Sequence, residues 1–288
     1  MSRKEEVLNL HPCFGKVPNK GRIHLPVSPG CNIQCNFCDR KINDFENRPG
    51  VTAHVIKPKD TLEVIKRAME LSDNLTVAGI AGPGDTLATD NAIESFRLIK
   101  EQYPQLLKCM STNGLLLNER AEELIELGID TLTVTVNAVD PQILSQIVSK
   151  IVYHKKTYEG IEAAEILIHN QLEGIKKMAR AKTTIKVNTV LINEINKDHI
   201  PEIAKAVKEA GADLYNIIPL IPQYKLSFCE EPQCEDIDGV RREAEKYINV
   251  FRHCQRCRAD AIGIPGKTDI SKQVYGENLS FTETFSHG

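Results

Sequence analysis

Short apolar runs alternate along this chain with longer stretches in which apolar residues recur every three or four positions. Residues 23–27, 75–80, 106–110, 131–136, 184–191 and 214–220 are rich in aliphatic and β-branched side chains and predict strands. Between them, Leu62, Ile65, Ala68 and Leu71 form the kind of stripe that one face of a helix presents, and the spacing predicts helices over 57–72, 91–103, 118–127, 158–180, 200–210 and 235–247. Gly211 supplies a stop for the fifth of these. Residues 1–10 read as a loose lead-in and 15–21 as a Gly/Pro-rich connection, while 39–51 is a long polar loop of the sort that often carries function. Helices set between short apolar strands require right-handed crossovers and a parallel sheet. Six such units predict an α/β fold, an open partial (β/α)6 barrel like a TIM barrel lacking two units, with its active site at the C-terminal ends of the strands.

Composition adds boundaries to this picture. With 288 residues and 41% hydrophobic content, the chain is expected to form one large domain rather than two small ones. No run approaches the roughly 18 apolar residues of a membrane span. The charged start, Met1 to Glu6, lacks the apolar core of a signal peptide, so a cytoplasmic location is expected. A net charge of -3 gives no reason to expect nucleic acid. Nine cysteines in a reducing compartment point to metal rather than to disulfides.

Three of those cysteines, Cys31, Cys35 and Cys38, stand at C-x3-C-x2-C spacing. Three thiolates can hold three corners of a 4Fe-4S cubane and leave one iron open to a small molecule, which suits reaction chemistry. Structural zinc normally takes four ligands, and buried core thiols have no reason to cluster so tightly. The turn Gly82-Pro83-Gly84-Asp85 follows a predicted strand, and its glycines allow close backbone approach to a ligand, although ordinary βα connections look alike. Thr112, Asn113, Asn137 and Asn188 fall at or near predicted strand ends, as polar contacts for a ligand or as residues that satisfy the turns. Taken singly, His24 reads as a strand residue and His11 is equally ambiguous.

The C-x3-C-x2-C motif, with Phe37 before its last cysteine, resembles the radical S-adenosylmethionine (SAM) superfamily. His11-Pro12-Cys13, Arg22-Ile23-His24-Leu25-Pro26-Val27, Arg48-Pro49-Gly50-Val51, Ala81 to Asp85, Ser111 to Gly114, Glu162 to Leu167 and Cys254-x2-Cys257-Arg258-Ala259-Asp260 narrow the likeness to the nitrogenase-cofactor maturase family, over about residues 11 to 266. The resemblance implies a radical SAM barrel that binds SAM through Gly82, Pro83, Gly84, Asp85, Thr112, Asn113, Asn137 and Asn188. Cys31, Cys35 and Cys38 would hold the SAM cluster. Two additional 4Fe-4S clusters are implied, one on Cys13, His24 and Cys109 and the other on Cys254 and Cys257. They would be fused, with a SAM-derived carbide and an extra sulfur, into an eight-iron cofactor precursor.

A departure from the family lies at 41–47, where many relatives carry another cysteine and this chain has none. Glu46 is the expected substitute ligand there, with Asp44 beside it, although a solvated loop charge is the ordinary outcome. Cys229 and Cys234 fall outside the family motif and are expected not to be ligands. The expected organisation is an N-terminal cluster-binding extension over 1–22, the barrel over 23–225, and a C-terminal extension with the CxxC ligands over 226–288. The polar tail 267–288 is too short for the small carrier domain that some relatives append; fraying is its default, with folding over the active-site mouth the alternative. Implied partners are an iron-sulfur cluster donor, a cofactor carrier or scaffold protein, and an electron donor such as ferredoxin; neither nucleic acid nor membrane is expected. Two rivals make different predictions. A radical SAM enzyme with one auxiliary cluster would use Cys229, Cys234, Cys254 and Cys257, and a non-catalytic cluster carrier would cleave no SAM.

Overall fold

The computed structural model describes residues 2–15, 17–276, 279, 283, 285 and 286. Helix α1 (Arg3–Leu10) precedes strand β1 (Gly21–His24), and two short strands, β2 (Gly30–Cys31) and β3 (Ile33–Cys35), lie within the cysteine loop. Then α2 (Thr61–Leu71), β4 (Leu75–Ile80), α3 (Asn91–Gln102), β5 (Leu107–Thr112), α4 (Leu117–Leu127) and β6 (Thr131–Thr135) alternate as predicted. A short helix α5 (Pro141–Ile147) leads into a hairpin of β7 (Val148–Tyr153) and β8 (Lys156–Glu159). The alternation resumes with α6 (Gly160–Arg180), β9 (Thr184–Leu191), α7 (Ile200–Ala210), β10 (Leu214–Pro219) and α8 (Cys234–Glu245), followed by β11 (Ile262–Gly263), α9 (Ser271–Val274) and β12 (Phe285–Ser286). None of the described helices is long and apolar enough to cross a membrane.

Strands β1, β4, β5, β6, β9 and β10 pair in parallel in that order, and β11 adds antiparallel to the β1 edge. This is the expected open partial barrel, with one further edge strand. Side chains alternate across it with the period of a strand. Ile23, Ala78, Met110, Leu132, Val134, Ile185, Val187 and Ile217 face the helices and are wholly or almost wholly buried in the main core. Each of these side chains other than Ala78 contributes about 1.5–3 kcal/mol through burial. On the opposite face, Arg22, His24, Gly79, Cys109, Thr133, Lys186 and Asn188 line a cavity. The concave side of the sheet is therefore polar and sulfur-bearing, and the convex side carries the stability.

Three departures from the sequence expectation shape the surroundings of the site, beside short unpredicted elements such as α5 and a first strand that ends at His24 rather than at residue 27. Residues 3–10 form a helix rather than a loose lead-in. Ser2 caps it reciprocally with Glu5, Val7 packs with Val77 and Leu107 on one end of the barrel, and Arg3 and Lys4 pair with Asp130 and Asp213. The β7–β8 hairpin was not predicted; it turns through His154 and Lys155, both at positive φ. The segment after α8 spans the open side of the barrel. Tyr215 of β10 exchanges hydrogen bonds with Asn249 and Phe251, and β11 pairs with β1 at the other edge. Cys254 and Cys257 are carried between these anchors.

In the tail, Tyr275 donates a hydrogen bond to the His24 carbonyl, and β12 pairs in parallel with Gly30 and Cys31 of the cysteine loop. Residues 277, 278, 280–282, 284, 287 and 288 of the tail expectation lie outside the described residues, as do 1 and 16 of the N-terminal one.

Candidate functional site

Strand β3 brings Cys35 into the site by pairing with the unpredicted hairpin, in the registers Ile33↔Ile151 and Cys35↔Val148. Asn36 donates to the Ile147 carbonyl (2.8 Å), and Gln34 Nε2 donates to the carbonyls of Cys35 (3.0 Å) and Cys38 (3.3 Å). The loop is thus clamped in a form that lets Cys31, Cys35 and Cys38 line one cavity of about 190 Å³, together with Arg40, Pro83, Gly84, Asp85, Thr112, Asn113 and Asn137. Burial pushes the Cys31 thiol up to about 12 and raises Cys35 and Cys38 as well, while the Arg40 guanidinium opposes the shift at all three. Such thiols give up their protons readily only to a metal.

The glycine turn packs directly on the cysteine loop. Its Gly84 and Asp85 amides donate to the carbonyls of Ser28 (2.9 Å) and Gly30 (2.8 Å) and dock the turn on the cysteine loop. A Cβ at Gly84 would lie 1.9 Å from the Gly30 oxygen, so only glycine permits the approach. The buried Asp85 carboxylate accepts from the amides of Asn113 (2.6 Å) and Leu87 (3.0 Å) and from the Thr112 hydroxyl (3.0 Å). Burial raises its pKa and these bonds oppose the rise. Asn113 Nδ2 donates to Asn32 (2.7 Å) and lies 3.9 Å from Cys31 Sγ. Asn137 Oδ1 accepts from the Val190 amide (2.9 Å). Asp85 and Thr112 therefore join β5 to the turn after β4.

A second cavity of about 240 Å³ opens over the concave face of the sheet. Cys13, His24, Cys109, Cys254 and Cys257 all line it, and Asn188 lies here rather than in the first cavity. Ala81, Ser111 and Thr135 line both, so the cavities adjoin. His24 Nδ1 sits 2.9 Å from the Arg258 carbonyl, which only accepts, so the neutral ring presents its lone pair on Nε2. Burial, and then Arg22, bring the His24 pKa down to about 4 and keep that lone pair free. Burial pushes the Cys13 thiol up to about 12, with Lys186 opposing, and raises Cys109. Lys186 donates to the Cys13 carbonyl (2.7 Å) and stands 4.5 Å from the Phe14 ring and 4.9 Å from that of Phe251. Arg22 donates to Cys257 Sγ (3.1 Å).

The radical SAM superfamily model matches residues 25–207. The FeMo cofactor biosynthesis protein NifB of Methanocaldococcus infernus is 49% identical over 96% of this chain and 93% of its own length. That of Methanocaldococcus jannaschii is 46% identical over 100% and 98%. This chain belongs to the NifB family of radical SAM enzymes. The NifB of Klebsiella pneumoniae is 38% identical over 91% of this chain, which spans 58% of that longer protein. A radical SAM methyltransferase from Sphaerobacter thermophilus shares the fold, with a TM-score of 0.59 and 17% identity over 81% of this chain and 66% of its own.

Membership of the NifB family brings with it SAM and one 4Fe-4S cluster, and the first cavity suits them. Three thiols and a guanidinium face it, and the one carboxylate lining it among the described residues, Asp85, is already occupied by protein donors. Among the described residues no three His, Cys, Asp or Glu side chains close on a single point as ligands of one ion do. A cubane takes one thiolate at each of several separated irons. Glu46 stands apart from both cavities. Its carboxylate accepts from Arg48 Nε (2.7 Å) and lines a separate pocket of about 550 Å³ with residues 42–47, Arg258 and Tyr275; that pocket is the larger, yet no cysteine lines it. Cys229 packs among apolar side chains, Cys234 is exposed at the start of α8, and neither lines the NifB-family cavities. Sequence reasoning missed Arg40, Gln171, Arg22 and Lys186. The last two carried a usable signal, since a cation inside an apolar strand must face something polar. Gln171 lies on α6 and donates to the carbonyls of Asn113 (2.7 Å) and Thr135 (2.8 Å), a role its helical position does not announce.

Proposed function

We propose that this chain fuses two 4Fe-4S substrate cubanes, with insertion of a SAM-derived carbide and an extra sulfur, into the eight-iron precursor of the nitrogenase cofactor. The observation that carries this reading is the pair of adjoining cavities, one lined by the C-x3-C-x2-C thiols and the other by Cys13, His24, Cys109, Cys254 and Cys257. Cys31, Cys35 and Cys38 hold the SAM cluster, and the Gly82–Asp85 turn with Thr112, Asn113 and Asn137 shapes the adjacent SAM site. When bound, the cluster and SAM supply a methyl group for a substrate sulfide and, on one-electron cleavage of a second SAM, a carbon-centred radical that abstracts hydrogen from it. One substrate cubane rests on Cys13, His24 and Cys109, and the other on Cys254 and Cys257.

The protein's contribution is position. Residues Ala81, Ser111 and Thr135, common to both cavities, leave a short path from the SAM site to the substrate cubanes. Glu46 becomes the further ligand of the second cubane only if its loop releases Arg48 and turns inward. A cluster donor supplies the cubanes, an electron donor such as ferredoxin supplies electrons, and a carrier or scaffold protein takes the product. The rival with a single auxiliary cluster needs Cys229 and Cys234, which line neither cavity.

The test uses SAM labelled with 13C in its methyl group and the anaerobically reconstituted protein. Label recovered in the extracted iron-sulfur product supports the reading. Label found only in small-molecule products of SAM contradicts it.

A further inference from the structure

Two side chains that line the second cavity each carry a buried N–H group that has no partner. His11 is 1% exposed; its Nδ1 accepts the Cys13 amide proton at 3.1 Å, so the ring hydrogen of the neutral side chain sits on Nε2. That Nε2 is buried without a hydrogen-bond partner. Arg22 is 5% exposed; its Nη1 donates to the Gly263 carbonyl (2.6 Å) and Nη2 to Cys257 Sγ, but Nε is buried and unpartnered. Both side chains line the same cavity, as do the cations Lys186 and Arg256, and among the described residues no carboxylate lines it. A buried donor left without an acceptor keeps the full penalty of its desolvation. Two such donors, on side chains lining a cavity with two buried cations and, among the described residues, no carboxylate, call for an anionic occupant that accepts hydrogen bonds. The sulfides of a substrate cubane are acceptors of this kind.

We infer that His11 Nε2–H and Arg22 Nε–H donate hydrogen bonds to sulfides of the cubane substrates, so that both residues position those cubanes and set their reduction potential. The inference rests on the proposed cluster-fusing reading and adds to it two residues that are not iron ligands. His11 stands beside the ligand Cys13 and holds its amide, so one side chain orients both the ligand and the sulfide face. Arg22 does the same for Cys257. Hydrogen bonds to cluster sulfurs stabilise the reduced, more negative state and raise the potential. Removing one donor therefore makes the cubane harder to reduce.

The test is a redox titration followed by electron paramagnetic resonance on full-length protein in which Cys31, Cys35 and Cys38 are all changed to Ala, so that only the substrate cubanes report. His11→Phe keeps a ring against Phe14 and removes the N–H, His11→Gln offers an amide N–H, and Arg22→Lys keeps the charge without the Nε donor. The expected result is a more negative midpoint in His11→Phe and Arg22→Lys at unchanged iron content, with His11→Gln returning toward the parent. Midpoints unchanged in both donor-less variants would overturn the inference. Iron lost from His11→Phe and not regained in His11→Gln would also overturn it, because His11 would then be a ligand or a packing residue. No cubane signal in the triple-Ala parent with native His11 would overturn the ligand set itself, and the inference with it.

Discussion

Gly84 and Cys13 illustrate two different duties of single residues in this site. Gly84 touches neither cavity through a side chain, yet its missing Cβ is what lets the turn after β4 hydrogen-bond to the cysteine loop. Gly84→Ala must push the turn away from Gly30, since both contacts are backbone. Displacements of this kind next to reacting groups cost about 100-fold in rate. SAM cleavage, read as 5'-deoxyadenosine formed per chain, is expected to fall by that order; a variant with undiminished turnover would show that this docking is not needed. Cys13 instead carries a thiol into the second cavity. Cys13→Ala and Cys254→Ala are each expected to abolish precursor formation while SAM cleavage at Cys31, Cys35 and Cys38 survives. Full precursor synthesis by either variant would remove that residue from the ligand set.

Among the elements, helices α4 and α6 approach so closely that a Cβ at Gly174 would lie 2.5 Å from Leu117 Cγ and 2.9 Å from the Asn118 amide nitrogen. Helix propensity favours Ala over Gly by about 1 kcal/mol, and overpacking costs about 1–3 kcal/mol. Gly174→Ala is expected to lose about 1 kcal/mol net, seen as a lower urea midpoint; a rise would mean the helices part without cost. Helix α8 is latched to the start of α7 by Asp236, which caps its own helix and binds Lys197 (2.6 Å) and Asn193 (3.0 Å). The Lys197 bond, then Asn193 and the Gln233 amide, hold this carboxyl down to about 2 from the ordinary 3.8. Between those values the unfolded chain binds a proton that the folded chain does not, so this contribution is complete above pH 3.8 and is lost as pH falls toward about 2. Asp236→Asn should lower the urea midpoint of the cluster-free protein near neutrality, and the gap to the parent should close across that window. A gap independent of pH would mean the latch is not ionic.

Legibility varied between elements for physical reasons. The strands at Leu75–Ile80 and Thr184–Leu191 were readable to the residue because aliphatic and β-branched side chains recur there at strand period. Helix α1 was not, since Val7 is its one buried side chain and its anchors are distant ion pairs. The β7–β8 hairpin escaped because its turn uses His154 and Lys155 in a conformation usually announced by Asn or Gly. In the site, the cysteines and His24 were legible through their motifs. Arg22 and Lys186 offered only the signal of a cation inside an apolar strand, and His11, which caps α1, gained a role once that helix was seen to lead into the cavity.

At the scale of the whole molecule, the open barrel is closed from two directions. Helix α1 packs on one end of the barrel and leads into His11 and Cys13, while the segment from Asn249 to Gly263 bridges the strand gap from β10 to β1 and carries Cys254 and Cys257 across the cavity. Chain segments from both ends of the sequence thus meet over a surface built by the parallel strands, beside the cavity lined by Cys31, Cys35 and Cys38. On the proposed function this arrangement holds three cubanes at once. It is tested most directly by the iron content per chain after anaerobic reconstitution. The account predicts about 12 irons, whereas a value near 8 or near 4 would contradict it by leaving room for one auxiliary cluster or for none.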